Sequence, residues 1–161
     1  MVKEINISEN KIVIKDGVFS LKQIHKEIKE LIEELGYGFV EKQQTNKSKK
    51  YGAERKIDFL AEKQIDDFAK FEITVNFFIE YLKILKKGDL ILDNGEGIIT
   101  VKSKLTLDFG NKWSKNDFSR FLFKLYIGFL KKSEIENKYV APLSEDVKVI
   151  YSKIKELMQY Y

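Results

Sequence analysis

The residues best suited to acid–base or thiol chemistry are few. His25 is the single histidine among 161 residues, and cysteine is absent. Because it has no cysteine, the protein cannot form disulfides, bind a metal through thiolates or use a thiol in catalysis. His25 lies beside the apolar positions Leu21, Ile24 and Ile28 of a predicted helix, with no motif that supplies a partner, so we interpret it as structural or solvated. The sequence predicts no enzymatic activity and no cofactor.

The carboxylates do not form a recognisable catalytic or metal-binding pattern. Even positions of two predicted strands, which should face away from the core beside lysines, carry Asp58, Glu62, Glu72 and Glu80. The acidic segment 89–96 does not match the spacing of an EF-hand loop and is interpreted as turn chemistry. Gly36-Tyr37-Gly38 follows a helix, whereas a dinucleotide fingerprint follows a strand. The sequence therefore predicts neither a metal site nor a nucleotide fold.

A basic cluster with an aromatic residue at its centre is the clearest binding signal. Lysine and arginine bind phosphate, and a tyrosine among them can stack on a base. The cluster consists of Lys47, Lys49, Lys50, Tyr51, Arg55 and Lys56. A second basic group, Lys112, Lys115 and Arg120, surrounds Trp113. The sequence predicts contact with RNA or a ribonucleoprotein surface; a solvated loop tip and a tryptophan that fills a strand-to-helix corner are the alternative.

Four large apolar residues fall at strand positions that should face water. They are Leu60, Phe78, Leu82 and Ile98. An exposed apolar patch of this size favours self-association. A weak homodimer is therefore expected, and cover from within the chain, by the strand at Phe39 or the segment 90–92, is the alternative.

Alternating apolar residues predict the strands that position these groups. Odd positions are apolar in 57–65, 71–81 and 99–109, so odd side chains should form the core, with Phe71, Phe77, Leu105 and the helical Phe121 as markers. Asp66-Asp67 predicts an antiparallel turn between the first two strands. A short edge strand is expected at 11–15, closed by Asp16-Gly17. Turns are expected at 86–88 and 93–95, and a polar loop or projecting hairpin at 43–50.

Three helices are predicted from apolar stripes and capping signals. Ser20 and Gln23 form a capping box before a stripe that ends at Gly36. An aromatic helix is predicted over 117–130. After a loop or frayed helix that ends at Pro142, Ser144 is expected to cap a last helix.

The order of the predicted strands and helices, together with the composition, predicts one α+β domain over residues 1–161. The expected architecture is a single antiparallel curved sheet of about five strands, in the order β-α-β-meander-α-α, with helices on one face. The hydrophobic content of 43% suits a globular core, and the formal charge of +4 permits an anionic partner. The space between the curved sheet and the predicted helix 117–130 could instead hold an apolar small molecule or lipid, which makes a carrier the alternative function. No apolar run is long enough for a membrane span, and a cytoplasmic location is expected.

The segment 97–129 resembles a group of small uncharacterised archaeal proteins. The resemblance rests on a lysine-glycine turn, a long strand, the corner Asp108-Phe109-Gly110-Asn111-Lys112-Trp113 and an aromatic helix. It extends to the charged first helix, the strands from Ile57 to Leu85 and the final helix. The resemblance implies an archaeal cytoplasmic protein and implies no activity. Lysine at 112, where the group often has arginine, weakens a bidentate anion contact at that point.

Overall fold

The computed structural model describes residues 2–107, 118, 120, 121, 125 and 132–159. Within these residues one antiparallel sheet has the strand order β1-β5-β4-β3-β2. Its strands are β1 (Lys3–Phe19), β2 (Gly38–Lys49), β3 (Gly52–Gln64), β4 (Ala69–Lys87) and β5 (Leu90–Leu107). The α+β class and the single antiparallel sheet are confirmed. The strands are longer than predicted, because backbone pairing with neighbours continues past the residues that alternate regularly.

The predicted inward register of the central strands is confirmed. β3 and β4 pair antiparallel across the turn at Asp66, and Phe71, Phe77 and Leu105 are 2%, 3% and 0% exposed. The expectation for Phe121 is wrong, since it is 57% exposed; Phe118, three residues earlier, is 68% exposed. Helical spacing identifies an apolar stripe, but it does not determine whether that stripe faces the core.

Helix α1 (Leu21–Glu34) begins and ends as the sequence predicts. The Oγ of Ser20 accepts a hydrogen bond from the backbone N–H of Gln23 at 3.2 Å, and Gly36 after the helix has φ +90°. The Nζ of Lys63 donates to the carbonyl of Leu35 at 2.8 Å, which satisfies one of the last carbonyls of the helix. The buried stripe of α1 is Leu21, Ile24, Ile28 and Ile32.

The C-terminal helical segment differs from the prediction at its start. A short helix α2 (Lys132–Ile135) and a π-helical turn (Glu136–Val140) lead directly into α3 (Ala141–Gln159), so Ser144 lies inside α3 and does not cap it. Pro142 lacks an N–H and its ring clashes with the carbonyl four residues earlier. The wider π turn, in which Ala141 N–H donates to Glu136 O, accommodates that proline without ending the helix. The buried side of α3 is Leu143, Val147, Ile150, Ile154 and Leu157.

Two predicted turns are instead parts of strands. Asp16-Gly17 lies in β1 at a register shift, and residues 93–95 lie within β5. Asp93 Oδ2 accepts a hydrogen bond from Leu21 N–H at 2.9 Å, and Asn94 Nδ2 donates to Asp16 Oδ1 at 3.0 Å and to Gly17 O at 3.1 Å. These polar side chains link neighbouring elements, although their residue types are also those of tight turns.

The corner 108–113 with Trp113, the basic residues Lys112 and Lys115 and most of the predicted helix 117–130 lie outside the described residues. Within the described ranges, no helix combines the length and the apolar character needed to cross a membrane.

Candidate nucleic-acid interface

The predicted basic cluster forms the hairpin between β2 and β3. The turn lies at Lys50 and Tyr51, and Lys49 pairs with Gly52, Lys47 with Glu54, and Thr45 with Lys56. Side chains alternate between the faces of a strand, so the lysines at 47, 49 and 56 share one face with Glu54. Arg55, which pairs with Asn46, projects to the other face. The hairpin therefore brings together the lysines of the cluster but not its arginine.

Glu54 neutralises part of this lysine face. Its carboxylate forms ion pairs with Lys49 and, at 3.7 Å, with Lys56, and the residue is only 8% exposed. The hydrogen bond from Lys49 holds the pKa of Glu54 below its ordinary value and raises the pKa of the lysine. Two of the predicted phosphate contacts thus already have an acidic partner within the hairpin. Lys50, at the turn, instead lies over the Tyr51 ring, 5.5 Å from its centroid.

Tyr51 has an aromatic neighbour that the sequence did not indicate. Tyr51 is 67% exposed and Tyr81, on β4, is 52% exposed. Tyr81 has φ +53°, an unusual conformation for a residue with a side chain, and lies where the β4–β5 register shifts. Gly52 makes this geometry possible, because a Cβ there would lie 2.6 Å from the carbonyl carbon of Tyr81. Such strain occurs preferentially at functional sites.

The two tyrosines border the same two clefts. One, of about 210 Å³, is lined by Lys49, Tyr51, Gly52, Glu54, Glu80 and Tyr81. The other, of about 290 Å³, is lined by Asp16, Tyr51, Tyr81, Lys83, Asn94, Gly95 and Glu96. Aromatic rings at the borders and carboxylates and lysines in the lining could stack a base, accept hydrogen bonds from its amino groups and contact its phosphate. Sequence periodicity hid Tyr81, because its odd number placed it among core positions.

A wider groove of about 530 Å³ lies on the sheet face opposite the helices. Its lining is Asn6, Ile7, Ser8, Glu9, Lys42, Leu60, Glu72, Thr74, Lys102, Ser103 and Lys104. Lys104 Nζ lies 2.9 Å from Glu72 and 3.2 Å from Glu4. Burial opposes ionisation of Glu72, but Lys104 outweighs that effect and holds the pKa of Glu72 below its ordinary value. The charges at this part of the groove are therefore mutually compensated.

His25 has an acidic partner that no sequence motif indicated. Its Nε2 lies 3.1 Å from Glu41 Oε2, and its ring meets Phe59 edge-to-face with centroids 5.0 Å apart. Glu41 is on β2, next to a register shift, and only the packing of α1 against the sheet brings it to the histidine. The pair has the geometry of an acid–base dyad and also joins α1 to β2. The absence of enzymatic activity stays a prediction.

The four residues predicted to form an interface do not form one patch. Phe78 and Ile98 pair directly across β4 and β5, but Leu82 packs against the core because the register shift near Tyr81 reverses the alternation. Leu60 lines the wide polar groove instead. Val13 on β1 lies opposite Ile98 and is 62% exposed, so Phe78, Ile98 and Val13 form an apolar row across three neighbouring strands.

In the residues that the structure describes, no group of three or more histidine or acidic side chains could hold a metal ion. Comparison of the whole sequence with known proteins found no protein-family model and no curated protein that matches it.

Proposed function

We propose that the protein is a non-enzymatic binding protein whose β2–β3 hairpin and the adjoining bend of β4 hold single-stranded RNA. The observation that carries the proposal is the pair Tyr51 and Tyr81, which are both exposed and border the same two clefts. An exposed ring presents a flat apolar surface to a base, and such stacking is tolerant of sequence.

Lysines and carboxylates around the rings supply the polar contacts. Lys47, Lys50 and Lys83 are the phosphate contacts, whereas Lys49 and Lys56 contribute less because Glu54 compensates them. Glu80 and Glu96, which line the clefts, accept hydrogen bonds from base amino groups. Arg55 contacts RNA only if the strand wraps around the hairpin.

Fluorescence anisotropy with a labelled single-stranded RNA of about a dozen nucleotides, within the usual site sizes, tests the proposal. We expect affinity that falls as salt rises, since phosphate contacts release counterions. Tyr51→Ala should weaken binding by about 1–3 kcal/mol, the usual contribution of one stacked base, while Tyr51→Phe retains it. Tyr81→Asn should have a similar effect, because asparagine accepts positive φ and the change removes only the ring.

Tyr151 on α3 provides a matched control. Lys155 Nζ lies 5.5 Å from its ring centroid, the same lysine–tyrosine arrangement as at the hairpin. Tyr151→Ala should leave the affinity for RNA unchanged. Wild-type protein without measurable affinity at low salt would contradict the function, and an equal loss in Tyr151→Ala would contradict the assigned position.

The carrier alternative expects its ligand beside the predicted helix 117–130, most of which lies outside the described residues. A different groove supports this alternative. A groove of about 380 Å³ lies between β1 and the end of α3, with Ile12, Ile14 and Met158 in its lining. An apolar acyl chain fits the chemistry of these side chains. Native mass spectrometry of gently purified protein separates the two functions, because a single lipid bound per protein favours the carrier and copurified nucleic acid favours RNA binding.

Self-association remains a third proposal, now centred on Phe78, Ile98 and Val13. Phe39, one suggested cover, packs against the core, and Ile98 is 40% exposed. Lys56 Nζ already lies 5.2 Å from the Phe78 ring centroid, which makes a weak homodimer more consistent with this face than a tight one. Sedimentation of wild type and Phe78→Lys tests it: a shift towards monomer in the variant is expected, and a wild-type monomer at high concentration would contradict it.

A further inference from the structure

A two-stranded arm projects from the sheet beyond the clefts. β4 pairs with β3 only as far as Leu82, and β5 pairs with β1 only from Asp93 onward. Between these limits, within the described residues, β4 and β5 pair only with each other and close at Gly88 (φ +63°). We define residues 83–91 as the hairpin arm. Every residue of this arm is exposed.

The arm is apolar on both faces. Ile84 and Ile91 are diagonal neighbours on one face and are 74% and 69% exposed. Leu85 and Leu90 lie on the other face and are 40% and 50% exposed. A hairpin of this length has little stability by itself, so four exposed aliphatic side chains on it are not explained by folding. A patch of this kind marks an interaction site.

Lysines flank the aliphatic side chains. Lys83, Lys86 and Lys87 are all exposed. The acids nearby are Asp89 at the turn and Asp93 at the base, and the carboxylate of Asp93 already accepts a hydrogen bond from the start of α1. The arm therefore combines exposed aliphatic side chains on both faces with an excess of positive charge.

We propose that the hairpin arm docks the protein on an anionic lipid bilayer. Insertion among lipid headgroups covers both apolar faces at once, which a flat protein surface cannot do. The lysines extend their charged ends to lipid phosphates while their aliphatic stems stay with the acyl region. This site is separate from the proposed RNA site, although Lys83 adjoins both.

The charges disfavour a second copy of the chain as the occupant. Symmetric antiparallel pairing of two β4 edges about Leu85 would place Lys83 opposite Lys87. Pairing of two β5 edges is limited to residues 90–92, because β1 already pairs with β5 from Asp93 onward. Like charges directly opposite destabilise a strand pair, and lysine on an edge strand is a common protection against such pairing.

Vesicle flotation with RNA-free protein tests the proposal. We expect the protein to float with phosphatidylcholine vesicles that contain phosphatidylserine, and far less with phosphatidylcholine alone. The double variant Ile84→Ser/Ile91→Ser should bind at least about tenfold more weakly, because it removes the apolar groups that insert. Lys86→Glu/Lys87→Glu, which changes only exposed charges and leaves folding intact, should lose a similar factor for anionic vesicles.

Val40→Ser/Val149→Ser is the matched control, since both valines are exposed outside the arm, at 56% and 39%. It should float as wild type does. Failure of the wild type to float with anionic vesicles, equal binding to neutral vesicles, or equal loss in the valine control would each overturn the proposal. A dimer in sedimentation that the isoleucine variant abolishes, without vesicle binding, would assign the arm to self-association and would also overturn it.

Discussion

Two pairs of tyrosines at opposite ends of the sheet have opposite environments. Near the β3–β4 turn, Tyr139 donates to Asp66 Oδ2 at 2.8 Å and Tyr37 donates to Asp146 Oδ2 at 2.7 Å, and both residues are at most 4% exposed. At the other end, Tyr51 and Tyr81 are more than half exposed. We refer to these as the closed end and the open end.

The closed end shows what a buried tyrosine requires. Each phenol has a carboxylate acceptor within hydrogen-bond distance, so burial of the ring leaves no unpaired hydroxyl. Together the two bonds link the connection between α1 and β2 to α3, and the β3–β4 turn to the π-helical turn. At the open end the tyrosines stand beside register shifts and clefts instead. Tyrosine at the closed end holds the helices to the sheet, and tyrosine at the open end is accessible to a ligand.

The largest effect is expected from Gly97→Ala, on β5 beside the β4–β5 register shift. A Cβ at this position would lie 1.9 Å from the carbonyl oxygen of Phe78, so the β4–β5 ladder would have to separate there. We expect a loss of about 3 kcal/mol in the free energy of unfolding, the upper range for overpacking, measured by urea titration. Gly38→Ala is the control, because the Cβ would meet Glu62 O at an ordinary 3.7 Å. Equal losses in both variants would contradict this account of Gly97.

Asp66→Ala should have the next largest effect and should weaken the closed end alone. Asp66 accepts hydrogen bonds from Phe68 N–H, Ala69 N–H and Tyr139 O–H, so we expect a loss of about 2–3 kcal/mol. The affinity for RNA should not change, because the proposed RNA site lies at the open end. A loss of RNA binding in the folded variant would show that the two ends are not independent.

Asp66 also makes stability depend on pH. Burial opposes its ionisation, but hydrogen bonds from Tyr139, Phe68 and Ala69 outweigh that effect, so its folded pKa lies below the ordinary value. The contribution is therefore present above the unfolded pKa of about 3.9 and is lost as pH falls through the folded pKa. Urea titrations of wild type and Asp66→Asn should show a stability difference that narrows below about pH 4. A constant difference would contradict this linkage.

Removal of one hydroxyl compares the two ends directly. Tyr37→Phe should cost about 1 kcal/mol, because it deletes the hydrogen bond to Asp146, while Tyr51→Phe should leave the free energy of unfolding unchanged. Burial and the bond to Asp146 raise the pKa of Tyr37 far above its usual range. The stabilisation of its neutral form is thus present below the unfolded pKa of about 10 and declines as pH rises above it. Equal effects of the two substitutions in urea titration would contradict the comparison.

His25→Ala should lower the free energy of unfolding by less than Tyr37→Phe does or by a similar amount, about 0.5–1 kcal/mol. It removes an edge-to-face contact with Phe59 and a hydrogen bond with Glu41 that is partly exposed to water. Glu41→Gln, which keeps a hydrogen-bond acceptor for the imidazole, should change stability even less. A loss of several kcal/mol in His25→Ala would show that this contact organises the packing of α1 on the sheet.

Local pattern was sufficient for the parts of the fold that depend on neighbours in sequence. The Ser20 cap, the buried stripe of α1, the antiparallel turn at Asp66 and the inward odd positions of β3 and β4 all follow from spacing and residue type. These features were predictable because short-range sterics and alternate burial act within a few residues. The polar residues at 43–50 predict either a loop or a projecting hairpin, and the structure has the hairpin.

Long-range pairing decided the rest. The register shift near Tyr81 turns Leu82 towards the core and exposes Tyr81. The turn-like residues at 16–17 and 93–95 lie within the paired strands β1 and β5. No local pattern reveals these outcomes, because one extra residue in a strand reverses every side chain beyond it. Likewise, packing of α1 on the sheet brings Glu41 to His25, and pairing of β2 with β3 brings Glu54 to Lys49. The sequence by itself determined which residues prefer burial; only the tertiary structure decided which polar groups meet and which aromatic rings remain open to a partner.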